Sequence, residues 1–177
     1  MVFVHDENTN KDYTSLNMYD KKTKAFDVLL MPCDAQVSVS ESLVKELRET
    51  ISDISSTVSM SDVARAFGDK KYETYVKIME DISGVKISGY AVMSSNDFKK
   101  LLNAGNTVTY HLDHAVSYRD ADNVLQSIEA GDVELDGDTA YALMTYMDGT
   151  DDEETRRLER ANDYLTKYME EIFTKNN

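Results

Sequence analysis

Two hydrophobic periods alternate along this chain, and neither an all-helical nor an all-strand fold accommodates both. Before Ser40 the apolar side chains come in short runs of strand length. Val2 to His5 is one. Tyr13 to Tyr19 and Ala25 to Met31 are two more, separated by the polar turn Asp20-Lys21-Lys22-Thr23-Lys24. That order predicts a strand followed by an antiparallel hairpin. Pro32 stops the second arm, because proline has no N–H to give to a ladder.

From Ser40, a good N-cap residue, the period lengthens. Leu43, Val44, Leu47, Ile51 and Ile54 form one helical stripe. Ser61 is expected to cap a short helix carrying Val63, Ala66 and Phe67 and ended by Gly68. Tyr72, Tyr75, Val76, Met79 and Ile82 form the next stripe, closed by Gly84. Val85 to Met93 is β-rich, with Ile87, Tyr90 and Val92 the expected core positions. Ser94 or Ser95 caps a helix over 96–103 that Gly105 stops, and Thr107 to Leu112 alternates like a strand. His114 to Gly131 fits neither period.

Asp136 is expected to cap a helix with Ala140, Leu143, Met144 and Met147 along one face. Thr150 and Glu153 have capping-box spacing and open the longest stripe: Leu158, Ala161, Leu165, Tyr168, Met169 and Ile172. Strands interleaved with helices predict an α/β or α+β sandwich in which helices cover a mixed sheet. At 177 residues the chain is sized for one domain, 1–177.

Composition removes several functions. Nineteen Lys and Arg against 33 Asp and Glu leave a net charge of −14, the wrong sign for holding nucleic-acid phosphates. The same charge disfavours docking on anionic lipid. The single cysteine, Cys33, excludes an internal disulfide and a multi-cysteine zinc site. No apolar run approaches the roughly 18 residues that span a bilayer, and the start Met1-Val2-Phe3-Val4-His5 lacks signal-peptide features. The chain is expected to be soluble as it stands.

The chemistry-bearing residues are sparse. His5, His111 and His114 share no motif, and the latter two stand three apart on a segment read as strand, where that spacing does not align them. Cys33 is followed by Asp34, an acid that disfavours the thiolate, so it reads as semi-buried filler. Asp148, Asp151, Asp152, Glu153 and Glu154 lack the EF-hand spacing and read as a solvated helix start. Arg157 and Arg160 share one helix face, with Arg156 adjacent. Two guanidinium forks there suit a phosphate or pyrophosphate. Pairing with Glu153, Glu154 and Glu159 accounts for them more simply.

The order of segments carries more than any single motif. Val2-Phe3-Val4-His5-Asp6 as an opening strand, the hairpin with Pro32-Cys33-Asp34 after it, Met79 to Phe98, Leu102 to Tyr110, Leu135-Asp136-Gly137-Asp138-Thr139-Ala140 and Arg157-Leu158-Glu159-Arg160 are collinear. In that order the chain resembles the LytR-CpsA-Psr domain of bacterial cell-envelope proteins from end to end. The resemblance implies a three-layer α/β sandwich, a central mixed sheet with helices on both faces. It implies an apolar pocket for a polyisoprenyl tail, arginines on the pyrophosphate and aspartates on Mg2+. The implied reaction is a phosphotransferase reaction, moving a lipid-linked glycopolymer onto peptidoglycan at the extracytoplasmic face of the envelope. Any membrane anchor is expected to lie outside these residues.

The departures fall on the residues of that chemistry. The family's Arg-x-Asp-Thr is Lys11-Asp12-Tyr13-Thr14 here, so Tyr13 holds the aspartate position. Cys33 replaces the arginine of Pro-Arg-Asp. Thr145 and Met147 stand at an Arg-x-Arg pair, and Ala161 at a glutamine. The resulting expectation is a degenerate domain, a pseudoenzyme that still accepts a polyisoprenyl phosphate or another acyl chain. If it were active, Lys11, Asp34, Arg157 and Arg160 would be its site, with Asp34 the metal ligand. The remaining alternative is an interaction module with a filled core.

Overall fold

The computed structural model describes residues 1–105, 107–120, 122–147, 149 and 151–175, with only the backbone at 174 and 175. The fold is the expected α/β class, built on a central sheet. Its strands are β1 (Val2–Asp6), β2 (Lys11–Asp20), β3 (Ala25–Met31) and β6 (Ala91–Ser94), hydrogen-bonded in the order β3-β2-β1-β6. β1 and β2 are antiparallel, with Phe3 opposite Thr14, Val4 opposite Tyr13 and His5 opposite Asp12. The chain gathers into two compact units, one of 1–15 with 31–92 and one of 16–30 with 93–177.

The first unit adds a small antiparallel pair, β4 (Gln36–Ser38) with β5 (Thr57–Ser59). It also holds α1 (Glu41–Leu47), α2 (Met60–Phe67) and α3 (Lys71–Ser83). Ser40 caps α1 as expected, its hydroxyl accepting from the Leu43 amide at 3.3 Å. The helix is shorter than its stripe. After Leu47 the backbone tightens, with Thr50 and Ile51 amides both bonding the Leu47 carbonyl at 3.0 and 2.9 Å. Thr50, Ile51, Ser52 and Asp53 are all weak helix formers. Ile54 is still buried, delivered by a turn instead of a helix.

Ser59, not Ser61, precedes α2, and the expected ending at Gly68 holds, with φ at +51°. α3 runs to Gly84, whose φ of +68° is the left-handed cap conformation. Its buried face is Thr74, Tyr75, Ile78 and Met79, so the stripe is rotated: Ile78 is completely buried whereas Ile82 is exposed. The expected strand over 85–93 shortens to β6. Tyr90 lies exposed where 84–90 pass as irregular chain with Glu80 accepting the Ile87 amide at 2.8 Å, and Val92 takes an exposed position on β6.

The second unit contains α4 (Ser95–Ala104), β7 (Val108–Leu112), β8 (Val116–Arg119), β9 (Leu125–Ile128), β10 (Gly131–Leu135), α5 (Gly137–Thr145) and α6 (Glu153–Lys175). The segment that fitted neither period is the antiparallel pair β8–β9, and β10, unrecognised in the sequence, pairs with β7. Ser94 caps α4 and Asp136 caps α5. The Thr150 capping box and Asp148 lie outside the described residues.

The core of this unit joins Val108, Tyr110 and Leu112 to Leu143, Met144, Ala161, Tyr164 and Tyr168. Tyr164 is the one the stripe omitted, yet only 1 % of it is exposed. α4 and α5 meet at Gly137, whose amide donates to Asn103 Oδ1 at 2.7 Å. A Cβ there runs into the Lys99 carbonyl oxygen. Gly137→Ala is therefore expected to cost about 2 kcal/mol by overpacking. Urea unfolding measures it, and a neutral result would mean that the α4–α5 contact is soft.

Candidate functional site

The first unit carries a cavity of about 260 Å³ where β2 begins and β3 ends. Asn10, Lys11, Asp12 and Thr14 line it from one strand, and Met31, Pro32, Cys33 and Asp34 from the other; Met60, Ser61, Ala64 and Tyr75 complete it. Pro32 bends the chain out of β3 at Met31, which brings Cys33 and Asp34 round to the opening. The floor is apolar, with Met31, Met60 and Tyr75 all buried. Lys11 and Asp34 are exposed at the rim, and Cys33 is half-buried.

Asp12 is the most heavily engaged group on this wall. His5 Nδ1 lies 2.9 Å from its Oδ1, Tyr72 donates to the same oxygen at 3.1 Å, and the Lys71 ammonium is paired with Oδ2. The carboxylate is 10 % exposed and the Lys71 side chain 18 %. Burial alone lowers the Lys71 pKa, but the hydrogen bond and charge of Asp12 overcome that, and the net direction is upward. Burial also raises Tyr72 and Tyr75, reinforced in both by the charge of Asp12. His5 and Asp12 were visible as residues, and the β1–β2 register makes them opposite neighbours. Lys71, 59 positions away, had no local signal.

Tyr13 takes the opposite face of β2 from its neighbours Asp12 and Thr14. The aspartate that stands beside the family's position is thereby the one on the cavity, though as the centre of an ion pair. The Mg2+ implied by the resemblance does not fit this donor set. Mg2+ asks for near-octahedral oxygen ligation at about 2.0–2.1 Å. The Asp12 oxygens are taken by three donors, which leaves Asp34 as the single uncommitted carboxylate on the cavity lining. Among the described residues no three His, Cys, Asp or Glu side chains group to hold an ion. His111 instead bonds Asp132 at 2.6 Å on the exposed face of β7.

The second unit holds the other sequence candidates at the end of α5. Arg157 is buried, with Nε and Nη2 donating to the two Glu154 oxygens at 2.8 and 2.6 Å and Nη1 to the Met144 carbonyl at 3.3 Å. Arg160 donates to the Tyr146 carbonyl at 2.7 Å and lies over the Tyr146 ring at 5.2 Å. Each arginine thus satisfies a carbonyl that the end of α5 leaves without a helical partner. The expected pairing with Glu154 is present for Arg157, and Arg160 is engaged by the Tyr146 backbone and ring. Thr145 turns its hydroxyl back onto the Tyr141 carbonyl at 2.8 Å, and Met147 is exposed. Ala161 is packed in the core, where a glutamine would need buried partners.

An α/β domain whose β2–β3 hairpin ends in a cavity rimmed by Lys11 and Asp34, followed by a long C-terminal helix bearing two engaged arginines, is the setting in which the family is read. The sequence matches the LytR_cpsA_psr family over residues 4–177, and the chain belongs to that family of cell-envelope proteins. No curated protein matches it. Among solved structures it is similar to a Eubacterium siraeum protein described as a transcription regulator, with TM-score 0.71, 15% identity, and 97% of this chain and 60% of that one covered. It is also similar to Bacillus subtilis TagV, with TM-score 0.63, 14% identity, and coverage of 97% and 62%. TagT, solved with a bound octaprenyl pyrophosphate lipid, gives TM-score 0.58, 17% identity, and coverage of 95% and 62%. The chain thus spans about 60% of the length of the structures it matches. No described helix is long and apolar enough to cross a membrane.

Proposed function

We propose that this chain is a LytR-CpsA-Psr domain of the extracytoplasmic envelope face that has lost phosphoryl transfer. It retains the capacity to hold a polyisoprenyl phosphate or another lipid chain. The observation that carries the loss is the lining of the β2–β3 cavity. Cys33 sits where the family's sequence pattern has arginine, and the lining holds one cation, Lys11, and two carboxylates, Asp12 and Asp34. Phosphoryl transfer depends on positioning and neutralising charge. Each charge-assisted hydrogen bond contributes about 1.5–3 kcal/mol, and about 1.4 kcal/mol is tenfold in rate. Losing several removes orders of magnitude. Arg157 and Arg160 supply no replacement while they hold the end of α5.

Lipid binding is supported by the apolar floor of Met31, Met60 and Tyr75 and by the lipid seen in TagT. At about 260 Å³ the cavity lies below the roughly 300–1,000 Å³ of pockets that take drug-sized molecules. It suits a short stretch of chain or a small head group. The test combines two measurements on the purified protein. With lipid-linked glycan phosphate, peptidoglycan and Mg2+, no transfer above background is expected. Native mass spectrometry with polyprenyl phosphate is expected to show a one-to-one adduct. Turnover abolished by Asp34→Ala would establish an active transferase and overturn the reading. Absence of any adduct would leave an interaction module with a filled core.

A further inference from the structure

The β2–β3 turn reverses the sign of the charge around it. Acids exceed bases by 14 over the whole chain, yet Lys21, Lys22 and Lys24 stand together and all are exposed. The turn is held in shape: the Lys22 amide donates to Asp20 Oδ1 at 2.8 Å and the Lys24 amide to the Asp20 carbonyl at 2.8 Å. Lys24 has φ of +58°, which closes the turn. The Asp20 carboxylate is thereby spent on the turn, and the amide of Lys22 followed by the hydroxyl of Thr23 holds its pKa below the usual range.

Three rings sit beside these lysines. Tyr19, Phe26 and Phe173 have centroids 5.4, 5.2 and 4.9 Å apart, and Tyr19 and Phe173 each remain 37% exposed. Phe26 faces inward on β3 while Asp27 takes the outer face with Leu29, 44% exposed. The acids Glu170 and Glu171 precede Phe173 on α6.

We infer that this hairpin end is a docking surface for an anionic lipid bilayer. The lysines meet phosphate head groups, and the half-exposed rings sit at the boundary between head groups and acyl chains, where aromatic side chains concentrate. Lysine stems reach past apolar contacts to keep their charge in water. The total charge of −14 does not forbid this, because charges beyond about 8–10 Å are screened at physiological salt. A soluble polyanion accounts for the lysines but not for the exposed rings, so the bilayer is favoured. The inference is independent of whether the domain transfers phosphate.

Co-sedimentation with vesicles tests it. Binding to phosphatidylglycerol–phosphatidylcholine vesicles is expected, falling with added salt, with little binding to phosphatidylcholine alone. Lys21→Gln, Lys22→Gln and Lys24→Gln together should weaken it on the order of 100-fold. Removing equal charge at the exposed Lys45, Lys86 and Lys100 should leave it unchanged. Tyr19→Ser should weaken binding while leaving salt dependence intact, with circular dichroism confirming the fold. Equal loss in the control triple variant, no vesicle binding at all, or capture by soluble polyphosphate without vesicle binding would each overturn the inference.

Discussion

Phe3→Ala is expected to destabilise the protein by about 3–5 kcal/mol, the range for truncating a fully buried aromatic. Phe3 is 0% exposed and its ring meets Tyr72, Tyr75 and Tyr90 at centroid distances of 4.9, 5.9 and 5.9 Å. These rings come from α3 and from the irregular segment before β6, so one side chain ties two parts of the first unit to β1. Offset and edge-to-face pairs of this kind add to the simple burial of area. Guanidinium unfolding monitored by tyrosine fluorescence gives the value. A loss under about 1 kcal/mol would mean that the surrounding tyrosines collapse into the space, which the cavity term of such substitutions normally prevents.

Asp12→Ala is the second large effect, about 3–5 kcal/mol, because it leaves the Lys71 ammonium buried without its partner. The double variant Asp12→Ala with Lys71→Met should recover much of that loss, since removing both charges also removes the unpaired one. The pH dependence follows from the raised pKa of Lys71. A cation whose folded pKa exceeds its unfolded value of about 10.4 contributes fully below that pH, and the contribution is lost as pH rises through the folded value. Wild type should therefore lose stability in that alkaline window, and Asp12→Ala should show a flatter profile there. If Asp12→Ala were neutral for folding yet abolished a measurable activity, the carboxylate would be catalytic and not the centre of an ion pair.

Both residues illustrate how unevenly the chain discloses itself. The strands before Ser40, the hairpin turn, and the caps at Ser40, Ser94, Asp136 and Gly84 are written in short stretches. An N-cap needs only a side-chain oxygen two or three positions from an amide, a C-cap only a residue that takes a left-handed φ, and a strand only an alternation or an apolar run. The misreadings share a cause as well. The stripe of α1 extends in the sequence through Ile51 and Ile54 because their spacing fits a helix, although a turn buries Ile54 equally well. β4, β5, β8 and β9, of three or four residues, are too short to show a period, and each is stabilised by its partner strand. Tyr90 and Val92 had strand-like chemistry but remain exposed, Tyr90 with only one edge against Phe3.

The candidate site divides the same way. Sequence order alone identified the family and singled out Cys33, Asp34, Arg157 and Arg160, because order along the chain survives when individual side chains change. Only the folded chain decided what those side chains do. The register of β1 against β2 set His5 beside Asp12, and α3 delivered Lys71 to the same carboxylate from 59 residues away. The end of α5 claimed the donors of Arg157 and Arg160. Propensity, capping and turn chemistry act over a few bonds and can be read in place. A buried charge is stabilised by whichever partner the packing brings to it, and that partner has no fixed distance along the chain.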